Sequence, residues 1–126
     1  MRCVMGRLFD PSDGFDEDAC LSMYDSSYDF YKLVLNTFLD DARRAKEGME
    51  DTYSAGDIEN YRIIVHGLKG AGGSVGAKQL VDLATRSNAL IKDGEWDSAV
   101  KLHKPLIDEL ERLIKVIPER ILAQNE

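Results

Sequence analysis

The sequence has little of what marks several common classes of protein. Only Cys3 and Cys20 are cysteines among 126 residues, and they form no CxxC pair, so zinc binding through thiolates has no support. We expect two reduced thiols, although spacing alone leaves an intramolecular bridge open. Apolar runs fall far short of the roughly 20 residues of a spanning helix, and the N-terminus lacks an apolar signal core. The protein is therefore predicted to be cytoplasmic and to make no membrane contact.

The chain also has no concentration of positive charge. The net charge is −7, and the 16 Lys and Arg residues are spread along the chain without a basic run. Nucleic acid is not an expected partner, because contacts to its phosphates need concentrated positive charge. An apolar fraction of 44% and a charged fraction of 31% are ordinary for one globular domain.

Apolar residues recur at steps of three and four, which is typical of helices, and no segment alternates like a strand. A short helix is predicted over about Asp16 to Tyr24. A long helix should follow the N-cap Ser26 or Ser27 and reach about Tyr53, before a stop at residues 55–56. Its core-facing positions are expected to include Phe30, Leu33, Val34, Phe38, Ala42 and Ala45.

Three further helices are predicted. The first follows the N-cap Asp57 and ends at Gly76, the second ends at residues 93–94, and the third runs from Trp96 to the limit set by Pro118, with a bend but no break at Pro105. The expected fold is all-α: an antiparallel up-and-down four-helix bundle with a short extra N-terminal helix. Residues 15–120 would form the bundle, with tails at 1–14 and 121–126. Because the apolar stripes are needed internally, a monomer is expected.

The informative segment is residues 66–76, which holds five glycines within a predicted helix. Each interior glycine costs about 0.5–1 kcal/mol relative to alanine, so the cluster needs a reason. Gly70 and Gly73 would clear side chains from the helix surface around His66, which lies beside the apolar stripe. Lys69 falls on the same face as His66. The pattern favours close approach of a partner or a phosphate to the imidazole.

These residues do not match either of two other phosphate-binding motifs. A P-loop needs Lys followed by Ser or Thr after its second glycine, whereas Lys69 precedes Gly70. A dinucleotide fingerprint would need glycine in place of Val75, and a strand before it. A neutral, exposed imidazole at His66 can instead act as a nucleophile toward phosphorus, with a nearby ammonium to offset charge. His103 lacks such surroundings and is expected to be structural.

The segment 66–76 resembles the signature of histidine-containing phosphotransfer (HPt) domains of two-component phosphorelays, of the type found in hybrid sensor kinases. His66, Lys69, Gly70 and Gly76 match its histidine, lysine and glycines, and the similarity extends from Phe15 to Trp96. The resemblance implies that His66 is the phosphoacceptor and that Lys69 supports the phosphoryl group. Gly70 and Gly73 would keep the face open for a receiver domain. Asn88 stands where the family often has Gln or Glu, and Lys92 one turn further would add positive charge.

The resemblance also implies partners and cofactors. The domain would pass phosphoryl groups between receiver domains of response regulators, with no kinase activity, metal or cofactor of its own, and with Mg²⁺ supplied by the receiver. It would be free-standing or part of a hybrid sensor kinase. Two alternatives stay open: a binding module that is not phosphorylated, and the phosphodonor domain of a chemotaxis-type kinase.

Overall fold

The computed structural model describes residues 7–124, and within this range the chain is helical. A 3-10 turn, Pro11–Asp13, precedes six α-helices. They are α1 (Glu17–Met23), α2 (Tyr28–Ala55), α3 (Ile58–Val75), α4 (Lys78–Lys92), α5 (Trp96–Val100) and α6 (His103–Gln124). The one β-type contact among these residues is an isolated bridge between Phe15 and Ala77. The predicted all-α class is confirmed.

The four long helices form the predicted antiparallel bundle. Helix α3 packs against α2 and α4, and α6 packs against the same two helices, so each long helix has two neighbours. Links of two residues, 56–57 and 76–77, reverse the chain on either side of α3. Helix α1 lies against α2 and α3, and α5 lies against α4. The extra N-terminal helix was therefore also predicted correctly.

Local capping explains the helix boundaries. Ser27 accepts a hydrogen bond from the Phe30 amide at the start of α2, and Asp57 accepts one from the Asn60 amide at the start of α3. Helix α2 ends at Gly56, which takes the left-handed conformation that favours glycine. The Ser27 and Asp57 side chains satisfy amides that the first helical turn leaves without partners. The predicted ends of α2 and the predicted start of α3 are confirmed.

The core face of α2 differs from the prediction. Phe30 is 47% exposed and Leu33 is 60% exposed, so these two residues do not face the core. Tyr31 is fully buried instead, and its hydroxyl donates to the Val75 carbonyl oxygen at 2.8 Å. That bond removes the cost of burying a phenol and lets the aromatic ring fill the core. The buried residues of α2 are Tyr31, Leu35, Phe38, Leu39, Ala42 and Met49.

The helix predicted from Trp96 onward is two helices, and the predicted effects of Pro105 and Pro118 were wrong. The chain leaves the helix after Val100 and resumes at His103, so Pro105 lies in the first turn of α6, where a missing amide hydrogen breaks no helical bond. Pro118 does not limit α6, which continues to Gln124. Arg120 holds the final turns by a two-bond pairing with Asp13, at 2.9 and 3.1 Å.

Part of the predicted N-terminal tail belongs to the core. Leu8 and Phe9 are buried, and the Phe9 ring stacks on Phe15 with a centroid distance of 3.7 Å. The buried carboxylate of Glu17 accepts the amides of Leu8 and Phe9 at 2.6 and 3.1 Å. Cys20 is a buried free thiol, whereas Cys3 lies outside the described residues.

The second histidine packs in an aromatic cluster away from the glycine-rich segment. The His103 ring stacks on Tyr53 at 3.9 Å, and its Nδ1 lies 2.9 Å from the Tyr61 hydroxyl. Burial raises the pKa of Tyr61, which keeps the hydroxyl protonated. With the imidazole proton on Nε2, Tyr61 donates to Nδ1. This arrangement matches the structural role expected for His103.

The His103 environment predicts a pH-dependent stability. Burial lowers the pKa of His103, and the charge of Glu50 only partly opposes this. The folded chain therefore binds fewer protons here than the unfolded chain. The contribution of His103 to the free energy of unfolding is fully present above the unfolded-state pKa of about 6.5 and is lost as the pH drops from there through the folded-state pKa. Urea unfolding at pH 7.5 and 5.5 should show this loss in the wild type and in His66→Gln, and a smaller loss in His103→Gln. Equal losses in all three proteins would contradict it.

Candidate functional site

The glycine-rich segment forms the second half of α3, and it has two different faces. One face is buried where α3 packs on α2 and α4, and it consists of Tyr61, Val65, Leu68, Gly72 and Val75. His66 follows Val65 by a rotation of about 100° and is exposed. The sequence therefore folds so that an imidazole stands on the outer surface of a helix whose other side is fixed in the core.

The glycines of α3 do different things on these two faces. A Cβ atom placed on Gly67, Gly70 or Gly73 would find no other described atom within 4 Å, apart from the helix backbone and chain neighbours. A Cβ on Gly72 would instead lie 3.1 Å from Val81 Cγ2 and 3.3 Å from Leu80 Cδ2. Gly72 therefore permits close packing of α3 on α4, whereas the three exposed glycines leave the surface beside His66 bare.

The contact at Gly72 fixes which residues of α4 lie beside His66. Because Gly72 and Val81 face each other in an antiparallel pair, each step back along α3 matches one step forward along α4. Along the axis of this helix pair, Asn88 then lies opposite His66, with an offset of at most one residue. Lys92 lies one turn further from the link between the two helices. The four predicted residues of α3, from His66 to Gly73, share one face, and the two of α4 stand beside that face.

These side chains differ in exposure. Lys69 is half-buried and Lys92 is exposed, whereas Asn88 is only 7% exposed. The Oδ1 atom of Asn88 is buried and accepts no hydrogen bond within the described part of the chain. A buried amide oxygen without a partner costs free energy, and only a hydrogen-bond donor would satisfy it.

A groove continues from this face toward α1. It has a volume of about 430 Å³ and lies between α1, the end of α3 and the start of α4. Gly73 forms its edge nearest His66, Cys20 and Ala19 line it from α1, and Val81 and Thr85 line it from α4. The exposed side chain of Met23 stands at the α1 side. The open surface around the imidazole is thus continuous with a largely apolar depression.

Several residues that hold the site were not identified from the sequence. Two tyrosines bind carbonyl oxygens at the end of α3: Tyr24 donates to Ser74 at 2.6 Å, and Tyr31 donates to Val75. They satisfy carbonyls that the last helical turn leaves free. Arg62, one turn before His66, was also not among the residues singled out from the sequence. Its position four residues before the histidine was the available signal, whereas the tyrosine contacts required the three-dimensional fold.

The described residues contain neither a metal-binding cluster nor a membrane-spanning helix. Across residues 7–124, no three His, Cys, Asp or Glu side chains are grouped so that they could hold a metal ion. Within the same range, none of the helices combines the length and the apolar character that crossing a membrane requires.

Comparison with known proteins agrees with this geometry. A search of curated protein sequences finds no significant match. The structure resembles the crystal structure of histidine-containing phosphotransfer protein B from Pseudomonas aeruginosa PAO1, with a TM-score of 0.75 and 23% sequence identity, over 86% of this chain and 96% of that one. At this identity the likeness establishes the fold. The sequence profile of the Hpt domain matches residues 33–116, which include all of α3 and α4. The chain therefore belongs to the Hpt domain family, and its function is histidine phosphotransfer in two-component phosphorelays.

Proposed function

We propose that His66 accepts a phosphoryl group from the aspartyl phosphate of one receiver domain and passes it to another. The observation that carries this proposal is the exposed imidazole on a helix face without neighbouring side chains at Gly67, Gly70 and Gly73. A receiver must bring its own backbone and acidic residues close to phosphorus, and this surface leaves room for them. The opposite face of α3 is buried, so the nucleophile is held on a rigid support.

The transfer step is a displacement at phosphorus. The ring nitrogen of His66 that bears no proton attacks in line, a P–N bond forms, and the P–O bond to the receiver aspartate breaks. The aspartate leaves as a carboxylate with the electron pair. The proton on the other ring nitrogen stays in place during attack and passes to water afterwards. The reverse sequence, with the aspartate of a second receiver as nucleophile, returns the imidazole.

Three other side chains would assist. The ammonium of Lys69, on the same face as His66, would offset part of the phosphoryl charge. Asn88 lies on α4 at the level of His66, and the hydrogens on its Nδ2 would donate to phosphoryl oxygens. Lys92 is exposed at the rim and would add a longer-range attraction. Gly70 and Gly73 would contribute through the space that they leave.

The remaining parts of the proposal concern context. Mg²⁺ would enter with the receiver, where it neutralises charge on the phosphoryl oxygens. The domain would act in the cytoplasm as a monomeric carrier without kinase activity of its own, either alone or within a hybrid sensor kinase. Receiver domains as partners follow from the family.

Transfer from a phosphorylated receiver tests this proposal. Incubation of the chain with several radiolabelled phosphoreceivers should give a label that is labile in acid and stable in base, as expected for phosphohistidine. Addition of a second, unphosphorylated receiver should then remove the label. If a folded, helical chain takes no label from any receiver, the protein is a binding module instead. Label from a kinase core alone would favour the phosphodonor domain of a chemotaxis-type kinase.

Gly70→Ala tests the open surface. Because a methyl group at this position meets no described neighbour, alanine should raise the free energy of unfolding by about 0.5–1 kcal/mol through its helix propensity. The same methyl group occupies space needed by the receiver, so the rate of transfer should fall. Urea unfolding and initial transfer rates measure the two effects. Lys115→Ala is the control, since it changes an exposed side chain of α6 and leaves α3 and the neighbouring groove untouched. Unchanged transfer in Gly70→Ala would show that the receiver does not approach over this position.

A further inference from the structure

Arg62 occupies a position beside His66 that resembles that of Lys69. Residues 62, 66, 69 and 73 follow one another at steps of four, three and four, so they form one column along α3. Gly73 of this column lines the groove with Val81 and Thr85, which places the column on the side of α3 that borders α4. The column on the other side, through Ile64, Gly67 and Ala71, borders α2. The imidazole therefore lies between an arginine and a lysine, each one turn away.

The guanidinium of Arg62 is held only weakly. Its partner is Glu59 in the preceding turn, with nitrogen–oxygen distances of 3.3 and 3.5 Å from one Arg62 nitrogen. Strong bonds between arginine and carboxylate are about 2.7–2.9 Å long and often paired. The Glu59 side chain is 64% exposed and that of Arg62 is 31% exposed. Such an exposed pair contributes little and is readily exchanged for a better partner.

We propose that Arg62 leaves Glu59 when His66 is phosphorylated and binds the phosphoryl oxygens, so that the group lies between the Arg62 guanidinium and the Lys69 ammonium. This inference rests on the proposed function. Side chains four residues apart on a helix have Cβ atoms about 5–6 Å apart, within reach of an arginine. A phosphoryl group offers a charge of about −1.5 to −2 and three acceptor oxygens, against one charge on Glu59. The planar guanidinium can donate two parallel hydrogen bonds to it.

Glu59 then competes with the phosphoryl group for the Arg62 guanidinium. It holds Arg62 while His66 is free. Loss of the Glu59 charge should free the arginine and favour the phosphorylated state. This effect should require Arg62, because Glu59 acts by withholding it.

The equilibrium of phosphoryl transfer tests the proposal. The full chain is mixed with a phosphorylated receiver, and the ratio of phosphoprotein to phosphoreceiver is measured when transfer has stopped. This ratio depends on the free proteins and is independent of how tightly they dock, so a residue used only for docking changes the rate and leaves the ratio unchanged. Arg62→Gln should lower the equilibrium constant for formation of phosphohistidine by about threefold to tenfold. Glu59→Gln should raise it, and the double variant should match Arg62→Gln.

Arg86→Gln is the matched control. Arg86 is an exposed arginine of α4 that pairs with Asp82 at 3.2 Å, and it lies two residues from Asn88, on the side of α4 turned away from His66. Its loss changes the net charge equally and should leave the equilibrium constant unchanged. An unchanged constant in Arg62→Gln, or an equal fall in Arg86→Gln, would overturn the role of Arg62 while phosphorylation of the wild type still supports the proposed function. No phosphorylation of the wild type by any receiver would overturn both.

Discussion

His66→Gln should abolish phosphorylation of the chain and leave its fold intact. The variant keeps a polar side chain of good helix propensity at an exposed position, so its free energy of unfolding should stay within about 0.5 kcal/mol of the wild type. It lacks a ring nitrogen able to attack phosphorus, and glutamine offers no comparable nucleophile. Labelled phosphate from a receiver should therefore fall to background, while circular dichroism and urea unfolding should match the wild type.

His103→Gln separates the two histidines. Its ring lies on α6, stacked on Tyr53 and bound to Tyr61, so it contributes to the core and not to the open face of α3. This variant should keep its label and lose about 1 kcal/mol of stability at pH 7.5 through its hydrogen bond. Label retained in His66→Gln and lost in His103→Gln would reassign the phosphoacceptor.

The bundle could be predicted because its boundaries are set by local chemistry. Ser27 and Asp57 bind amides within their own first turns, and Gly56 and Gly76 close the preceding helices through backbone geometry. Each of these signals lies within a few residues of the boundary that it determines. A pattern of apolar residues at helical spacing then required the helices to pack on one another.

The errors occurred where distant residues decide the outcome. The burial of Tyr31 depends on the Val75 carbonyl 44 positions away, and the final turns of α6 are held by the pairing of Arg120 with Asp13 across 107 positions. In α2, apolar residues occupy two adjacent stripes, and spacing alone cannot choose between them. The local sequence shows no partner for the Tyr31 hydroxyl, since the Val75 carbonyl belongs to another helix.

In the candidate site, too, some features are set by the local sequence and others by distant residues. The exposure of His66 and the open space at Gly70 follow from helical spacing and from the absence of side chains, and the structure agrees with both. The burial of Asn88 depends on how α4 packs on α3, which in turn depends on the contact between Gly72 and Val81. The roles assigned to these residues stay predictions until transfer is measured.

Gly76 ends α3 and packs against the start of α1. Two features of this position require glycine. Its φ of 76° is in the left-handed region that favours glycine, and it ends α3. A Cβ atom there would lie 2.9 Å from the Asp16 carbonyl oxygen and 2.9 Å from Cys20 Sγ. The Gly76 carbonyl oxygen also accepts the Asp16 amide at 2.9 Å. The start of α1 is therefore packed directly against this glycine.

Gly76→Ala should reduce the free energy of unfolding by about 2–4 kcal/mol, the sum of a strained left-handed alanine and an overpacked contact. The Asp16 backbone cannot rotate away as a side chain could, so relief requires movement of α1. Gly94→Ala isolates the first contribution, because Gly94 has a φ of 77° and no other described atom within 4 Å of an added Cβ. It should cost only about 1–2 kcal/mol. Urea unfolding of both variants measures the difference, and equal losses would show that α1 moves freely enough to accept the methyl group.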